Sequence, residues 1–66
     1  MSVIKVIEIM CDSSESWEEA AASGLKKASK SVKNIKSAFV QSQSVTVKDG
    51  EIDKYRVNLK LSFEVD

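Results

Sequence analysis

The chain has no histidine and only one cysteine, Cys11. A single cysteine cannot form an internal disulfide or complete a Cys/His metal cluster within one chain. Without histidine, the usual base that activates a cysteine or serine nucleophile is missing. We therefore predict that the protein is not an enzyme of the standard hydrolytic or redox types, and that Cys11 is a buried, unreactive thiol.

Neither sign of charge dominates, because ten basic and ten acidic residues cancel. This balance argues against a nucleic-acid-binding protein, which needs a dominant cationic surface. No apolar run approaches the roughly 20 residues that span a bilayer. The segment 1–9 has Lys5 and Glu8 among its aliphatic residues, so it lacks the apolar core of a secretory signal. We expect a single domain, residues 1–66, in the cytoplasm.

The clearest pattern lies at residues 55–65, where every odd position is apolar and every even position is polar. A strict period of two predicts a strand with one buried face. One short strand and one helix remain to cover that face. In a domain of 66 residues, the free energy gained by burying apolar surface is nearly cancelled by the conformational entropy that the chain loses on folding. We therefore predict that association between subunits supplies the missing stability.

Two further elements are predicted before this strand. Residues 3–10 are rich in β-branched residues and predict a first strand, which a polar break at residues 11–14 ends. Apolar or small residues at helical spacing then predict a helix from about residue 14 to residue 34. Its expected N-cap is Asp12, Ser13 or Ser14.

The predicted helix has an acidic start and a basic end. Glu15, Glu18 and Glu19 suit the positive end of the helix dipole, and five lysines follow between residues 26 and 36. An anion-binding patch is one interpretation of these lysines, but a solvated face that complements the dipole is favoured. The small residues Ala21, Gly24 and Ala28 allow another backbone to approach the helix closely.

Residues 38–47 predict a second strand, and the Asp49-Gly50 pair that follows is a hairpin signal. The second and third strands therefore pair antiparallel. The helix returns the chain across the sheet, so a fully antiparallel sheet needs the third strand in the middle, in the order 1-3-2. The predicted fold class is α+β, a β-α-β-β chain whose three-stranded antiparallel sheet packs on one helix. The second strand then lies at an open edge.

This order of elements resembles the dodecin family over essentially the whole chain. The resemblance is carried by residues 5–9 (KVIEI), 13–20 (SSESWEEA), 34–35 (NI), 55–57 (YRV) and 61–64 (LSFE). It implies a hollow homododecamer, so the partner is the protein itself, and a non-enzymatic role in binding or storing a small ligand. Flavin, as riboflavin or FMN, is the ligand of the best-known members.

The resemblance also identifies the positions that would bind flavin. Flavin-binding members stack a tryptophan from the start of the second strand on the ring and use a glutamine early in the third strand. These positions are Ser37 and Arg56 here. Loss of an aromatic anchor costs roughly 2 to 4 kcal/mol, so flavin binding is expected to be about 30- to 1,000-fold weaker. The chain's one tryptophan, Trp17, is predicted to be a core residue in the first helical turn.

Calcium is the alternative ligand, because a branch of dodecin-like proteins that also lacks the tryptophan is associated with it. Asp12, Glu15 and Glu18 are the carboxylate candidates, to be combined from several subunits because Ca²⁺ takes six to eight oxygens. A small anion bound at Arg56 and a purely structural assembly remain open.

Overall fold

The chain forms three strands and one helix in the predicted order. A computed structural model describes residues 2–65, so residues 1 and 66 of the predicted domain lie outside the described part. The elements are β1 (Val3–Ser13), α1 (Trp17–Ala28), β2 (Ile35–Lys48) and β3 (Glu51–Val65). The strands pair antiparallel in the order β1-β3-β2. The predicted topology, with the third strand in the middle, is confirmed.

The core lies where α1 packs on one face of β3. Val57, Leu59 and Leu61 are buried together with Ala20 of α1. These strand residues are the odd positions of the alternating pattern, so the predicted buried face is confirmed. The covered area is short, because a helix of 12 residues spans about 18 Å whereas a strand of 15 residues spans about 50 Å. Val65, on the same face near the end of β3, is accordingly 40% exposed.

The first strand is longer than predicted. It continues to Ser13, so the break expected at residues 11–14 is wrong for its first three positions. Cys11, Asp12 and Ser13 pair with Val57, Arg56 and Tyr55 of β3. Their polar composition does not end the strand because the backbone ladder with β3 satisfies their amide and carbonyl groups.

The start of the helix also differs from the prediction. The helix begins at Trp17, and Ser16 is its N-cap, so the prediction of Asp12, Ser13 or Ser14 as the N-cap is wrong. The Ser16 hydroxyl accepts a hydrogen bond from the Glu19 amide at 3.0 Å. The reason is the Ser-x-x-Glu spacing of residues 16–19, which is the signature of a helix start.

The helix ends at Ala28, six residues before the predicted end at residue 34. Ser29 is the C-cap, and its hydroxyl donates a hydrogen bond to the Lys26 carbonyl at 2.8 Å. Serine hydroxyls compete for backbone groups in this way and disfavour continued helix. Asn34, with φ of 62°, then takes the left-handed conformation and directs the chain into β2.

The β2–β3 hairpin extends past the rest of the fold. The pairing of β1 with β3 stops at Ser13 and Tyr55, whereas β2 and β3 pair on to Lys48 and Glu51. Asp49 and Gly50 form the predicted turn, with φ of 53° and 77°, as a tight hairpin of this kind requires. Residues 46–54, here called the hairpin arm, therefore project as a two-stranded ribbon. The molecule is 51 Å long and only 19 by 14 Å across.

Within residues 2–65, no helix combines the length and the apolar character needed to cross a membrane.

Candidate functional site

The sheet face opposite the helix carries the sequence-predicted ligand residues. Residues directly opposite each other in an antiparallel pair lie on the same face. Arg56 lies opposite Asp12 of β1 and Ser44 of β2, and Ser62 lies opposite Ser37 of β2. Since the odd positions of β3 face α1, these even positions belong to the uncovered side, here called the open face.

Arg56 forms an ion pair across the open face. Its Nη2 lies 3.4 Å from Asp12 Oδ2, and the two side chains are 36% and 37% exposed. The Arg56 Nε is buried and finds no hydrogen-bond partner among the described residues. A guanidinium offers five donors and no acceptor. Arg56 can therefore bind a carboxylate or another anion in addition to Asp12, but it cannot reproduce the two-way hydrogen bonding of a glutamine.

Ser37 and Arg56 are not brought together within one subunit. The Ser37 hydroxyl is hydrogen-bonded to the Ser62 hydroxyl. Ser62 and Arg56 lie six positions apart on β3, which corresponds to roughly 20 Å along an extended strand. A pocket that uses both positions must therefore combine two subunits.

The three carboxylate candidates for a metal lie where β1 leads into α1. Asp12 is near the end of β1, Glu15 is in the connection and Glu18 is in the first helical turn, and all three are exposed. In the described part of the chain, no three or more His, Cys, Asp or Glu side chains are grouped so as to hold a metal ion. Because Ca²⁺ requires six to eight oxygens, a site built from these residues needs carboxylates from more than one subunit.

A groove of about 430 Å³ runs between β1 and α1 and is lined by Met10, Cys11, Gly24 and Lys27 among others. The Cys11 thiol is half-buried in this contact. Burial, and secondarily the negative charge of Asp12, raise the pKa of the Cys11 thiol. The thiol is accordingly less nucleophilic at neutral pH than a free cysteine. Sequence reasoning missed the groove, although the small residues of α1 indicated a close approach of another element.

Trp17 lies on the helix side of the sheet, away from the open face. Its ring meets Tyr55 edge to face with centroids 5.0 Å apart, and its Nε1–H donates to the Ser44 carbonyl at 2.9 Å. The predicted packing against the core is confirmed, but the residue is only half-buried because it is the first residue of α1. Trp17 joins α1 to both strands of the hairpin.

Comparison with known proteins agrees with this architecture. A model of the family described as Dodecin matches residues 3–66. The chain belongs to the dodecin family. The dodecin from Streptomyces davaonensis has the same fold, with a TM-score of 0.93 and 26% identity over 98% of this chain and 96% of that one.

Calcium dodecin from Mycobacterium tuberculosis is more similar in sequence. It is 42% identical over 65 residues, which cover 98% of this chain and 92% of that protein. Its crystal structure, described as that of a calcium-chelating antigen with a novel calcium-binding site, matches with a TM-score of 0.86 over 98% of this chain and 93% of that chain.

Proposed function

We propose that this dodecin is a non-enzymatic, self-assembling protein that binds calcium rather than flavin. Its single domain assembles into a homododecamer in the cytoplasm, and the ligand lies at contacts between subunits. The choice of calcium over flavin rests on the residues that occupy the two flavin positions on the open face. The two flavin positions hold Ser37, which bonds to Ser62, and Arg56, which pairs with Asp12.

Burial supports the assembly. Within residues 2–65 the fully buried hydrophobic residues are Ala20, Val57, Leu59 and Leu61, whereas ten large hydrophobic residues are at least 36% exposed. A small domain with so little buried apolar surface is marginal by itself. Contacts between copies cover such residues, and they also bring carboxylates from several subunits together.

Calcium is supported by the similarity to calcium dodecin together with the position of the carboxylates. Asp12, Glu15 and Glu18 are exposed and follow one another along the β1–α1 connection. Exposed carboxylates at a subunit contact provide the hard oxygen ligands that Ca²⁺ prefers. When bound, the ion would neutralise the acidic groups and link the subunits that supply them.

A small anion is the second candidate ligand, and Arg56 favours it. The buried, unpartnered Nε of Arg56 is a donor that a phosphate or carboxylate from solvent or from a neighbouring subunit would satisfy. In that case Asp12 would serve to orient the guanidinium instead of binding a cation.

Calorimetric titration of the assembled protein with CaCl₂ tests the choice between these ligands. We expect calcium binding by the wild type and at least a tenfold loss in Asp12→Asn and Glu18→Gln, since each removes a charged ligand worth more than about 1.4 kcal/mol. Glu64→Gln is the matched control, because Glu64 lies eight positions from Arg56 on β3. This variant should bind calcium as the wild type does. Calcium affinity unchanged in Asp12→Asn, with phosphate affinity lost in Arg56→Gln, would favour the anion.

A further inference from the structure

The Asp12 carboxylate, which is a proposed calcium ligand, already has a cationic partner. Asp12 and Arg56 lie directly opposite each other in the β1–β3 ladder, and a contact of 3.4 Å joins Asp12 Oδ2 to Arg56 Nη2. The ladder holds the two backbones side by side, so the side chains stay within reach of each other. A calcium ion that binds Asp12 therefore meets the guanidinium of Arg56 at close range.

The ion pair itself is weak. Strong arginine–carboxylate pairs are bidentate, with N···O distances of about 2.7 to 2.9 Å, whereas this contact is single and longer. Both side chains are more than a third exposed, and an exposed pair changes an equilibrium constant by less than about tenfold. The buried Nε of Arg56 also finds no partner among residues 2–65, so the pair leaves a donor unsatisfied. Arg56 can therefore exchange Asp12 for a better acceptor at little cost.

Calcium and the guanidinium compete for the one carboxylate. Two cations bound to the same carboxylate lie only a few ångströms apart, and they repel each other more strongly near a protein surface than in bulk water. Calcium at Asp12 removes the negative charge that compensates Arg56. An anion bound to Arg56 restores that compensation and reduces the repulsion.

The open face around Arg56 suits a small oxyanion. Ser44 lies opposite Arg56 on β2, and Lys54 lies two positions before it on β3; both are exposed. Two residues of a strand span about 7 Å, so the lysine side chain can reach the same ligand. The arginine fork matches the oxygens of a carboxylate, sulfate or phosphate, and the serine hydroxyl adds a neutral donor.

We propose that calcium and a small oxyanion bind together on the open face, the anion at Arg56 and the calcium ion at Asp12. Without the anion, Arg56 occupies Asp12 and lowers the calcium affinity. This inference rests on the proposed calcium binding and describes how that site is regulated. Because coupling between two ligands is reciprocal, calcium raises the anion affinity by the same factor.

Calorimetric titration of the assembled protein with CaCl₂, in sulfate and in chloride buffers of equal ionic strength, measures this coupling. Sulfate is the probe because phosphate precipitates calcium, and the association of calcium with sulfate in solution is subtracted. We expect the calcium affinity to be about three- to tenfold higher in sulfate, the factor that an exposed ion pair supports. Titration with sulfate, with and without calcium, should give the same factor.

Two variants assign the coupling to Arg56. Arg56→Gln removes the competitor, so calcium affinity in chloride should rise about three- to tenfold and should no longer depend on sulfate. Lys60→Gln is the matched control, because Lys60 is a cation of the same face that lies opposite Glu8, four positions from Arg56. It removes the same charge and should keep the wild-type ratio of the two affinities. If Arg56→Gln does not assemble, Arg56→Lys keeps the charge without the fork and should reduce the effect of sulfate.

The outcomes separate this inference from the proposed calcium binding. Calcium affinity that is lost in Asp12→Asn but is equal in sulfate and chloride would overturn the coupling and leave calcium binding intact. A sulfate effect that Lys60→Gln abolishes as fully as Arg56→Gln would also overturn it, because the net charge of the face would then suffice. No calcium binding by the wild type in either salt would overturn both. A sulfate effect that only Arg56→Gln abolishes would support both.

Discussion

The sulphur of Cys11 fills the space in which a side chain at position 24 would begin. A Cβ atom built on Gly24 would lie 2.9 Å from the Cys11 Cβ and would overlap the Cys11 Sγ. Gly24 is in the middle of α1, where glycine costs about 1 kcal/mol relative to alanine. The close packing of α1 on β1 explains why this helix contains a glycine.

Gly24→Ala should therefore destabilise the protein despite the better helix propensity of alanine. Overpacking of this kind costs about 1 to 3 kcal/mol, and it should be relieved in part by Cys11→Ala, which removes the overlapping sulphur. Urea unfolding of the wild type, both single variants and the double variant at one protein concentration measures a coupling of about 1 kcal/mol. Additive effects of the two changes would show that the Cys11 sulphur does not limit position 24.

The alkylation of Cys11 should be slow. Burial, and then the charge of Asp12, raise the pKa of the Cys11 thiol, so less thiolate is present at a given pH than in the unfolded chain. The iodoacetamide reaction at pH 8.5 should be slower than in urea-unfolded protein. It should accelerate only modestly in Asp12→Asn, because burial is the larger cause. Equal rates in the folded and unfolded states would contradict the half-buried placement of this thiol.

The same shift predicts how stability depends on pH. The folded state favours the protonated thiol. The contribution of this thiol to the free energy of unfolding is therefore complete below the pKa of the unfolded thiol, about 8.5. It is lost as the pH rises through the higher pKa of the folded thiol. Thermal unfolding between pH 7 and 10 should show this alkaline loss in the wild type, and Cys11→Ala should reduce it. An identical pH profile in both proteins would rule out the linkage.

Trp17 should contribute through both its ring and its indole N–H. Trp17→Phe keeps a ring against Tyr55 but removes the donor to the Ser44 carbonyl, and should cost about 1 kcal/mol. Trp17→Ala also removes the ring and should cost about 3 kcal/mol, the lower end of the range for such changes, because Trp17 is half-buried. Urea unfolding at fixed protein concentration distinguishes the two variants. A phenylalanine variant as unstable as the alanine variant would mean that the contact with Tyr55 contributes nothing.

We expect the wild type to bind riboflavin weakly, and two substitutions should strengthen that binding. Ser37→Trp combined with Arg56→Gln restores a stacking ring and a glutamine edge on the open face, without altering the buried face of β3. Stacking is worth roughly 0.5 to 1.5 kcal/mol beyond area burial, and the apolar area that the indole ring buries adds to this gain, so riboflavin affinity should rise at least tenfold. Quenching of riboflavin fluorescence measures it, with Ser37→Trp alone as the control for stacking. No gain in an intact double-variant assembly would place the flavin position elsewhere.

Much of the fold follows from local patterns in the sequence. The alternation at residues 55–65 and the Asp49-Gly50 turn predict the central strand and the hairpin, because each depends on neighbouring residues alone. The ends of the helix and strands depend on which hydrogen-bond partners compete for the backbone groups there. The helix begins at Trp17 instead of about residue 14, because the Ser-x-x-Glu spacing of residues 16–19 makes Ser16 the N-cap. The strand β1 extends through polar residues because β3 offers them a backbone ladder.

The site was less predictable than the fold. The family resemblance identified Arg56, and Asp12 was a carboxylate candidate for calcium, but their ion pair depends on the register between β1 and β3, which no local pattern shows. The separation of Ser37 from Arg56 within a subunit likewise depends on the hairpin register. The close packing of Cys11 of β1 on Gly24 of α1 joins residues far apart in the sequence, and only the packed structure shows that contact.

Light scattering of the purified wild type at micromolar concentration tests the central claim, that this subunit works only as part of an assembly. We expect a single species with the mass of a dodecamer of 7.3-kDa subunits, because the exposed apolar residues need covering by other copies. A folded, stable monomer near 7.3 kDa would contradict the account, since the ligand sites proposed here combine residues from more than one subunit.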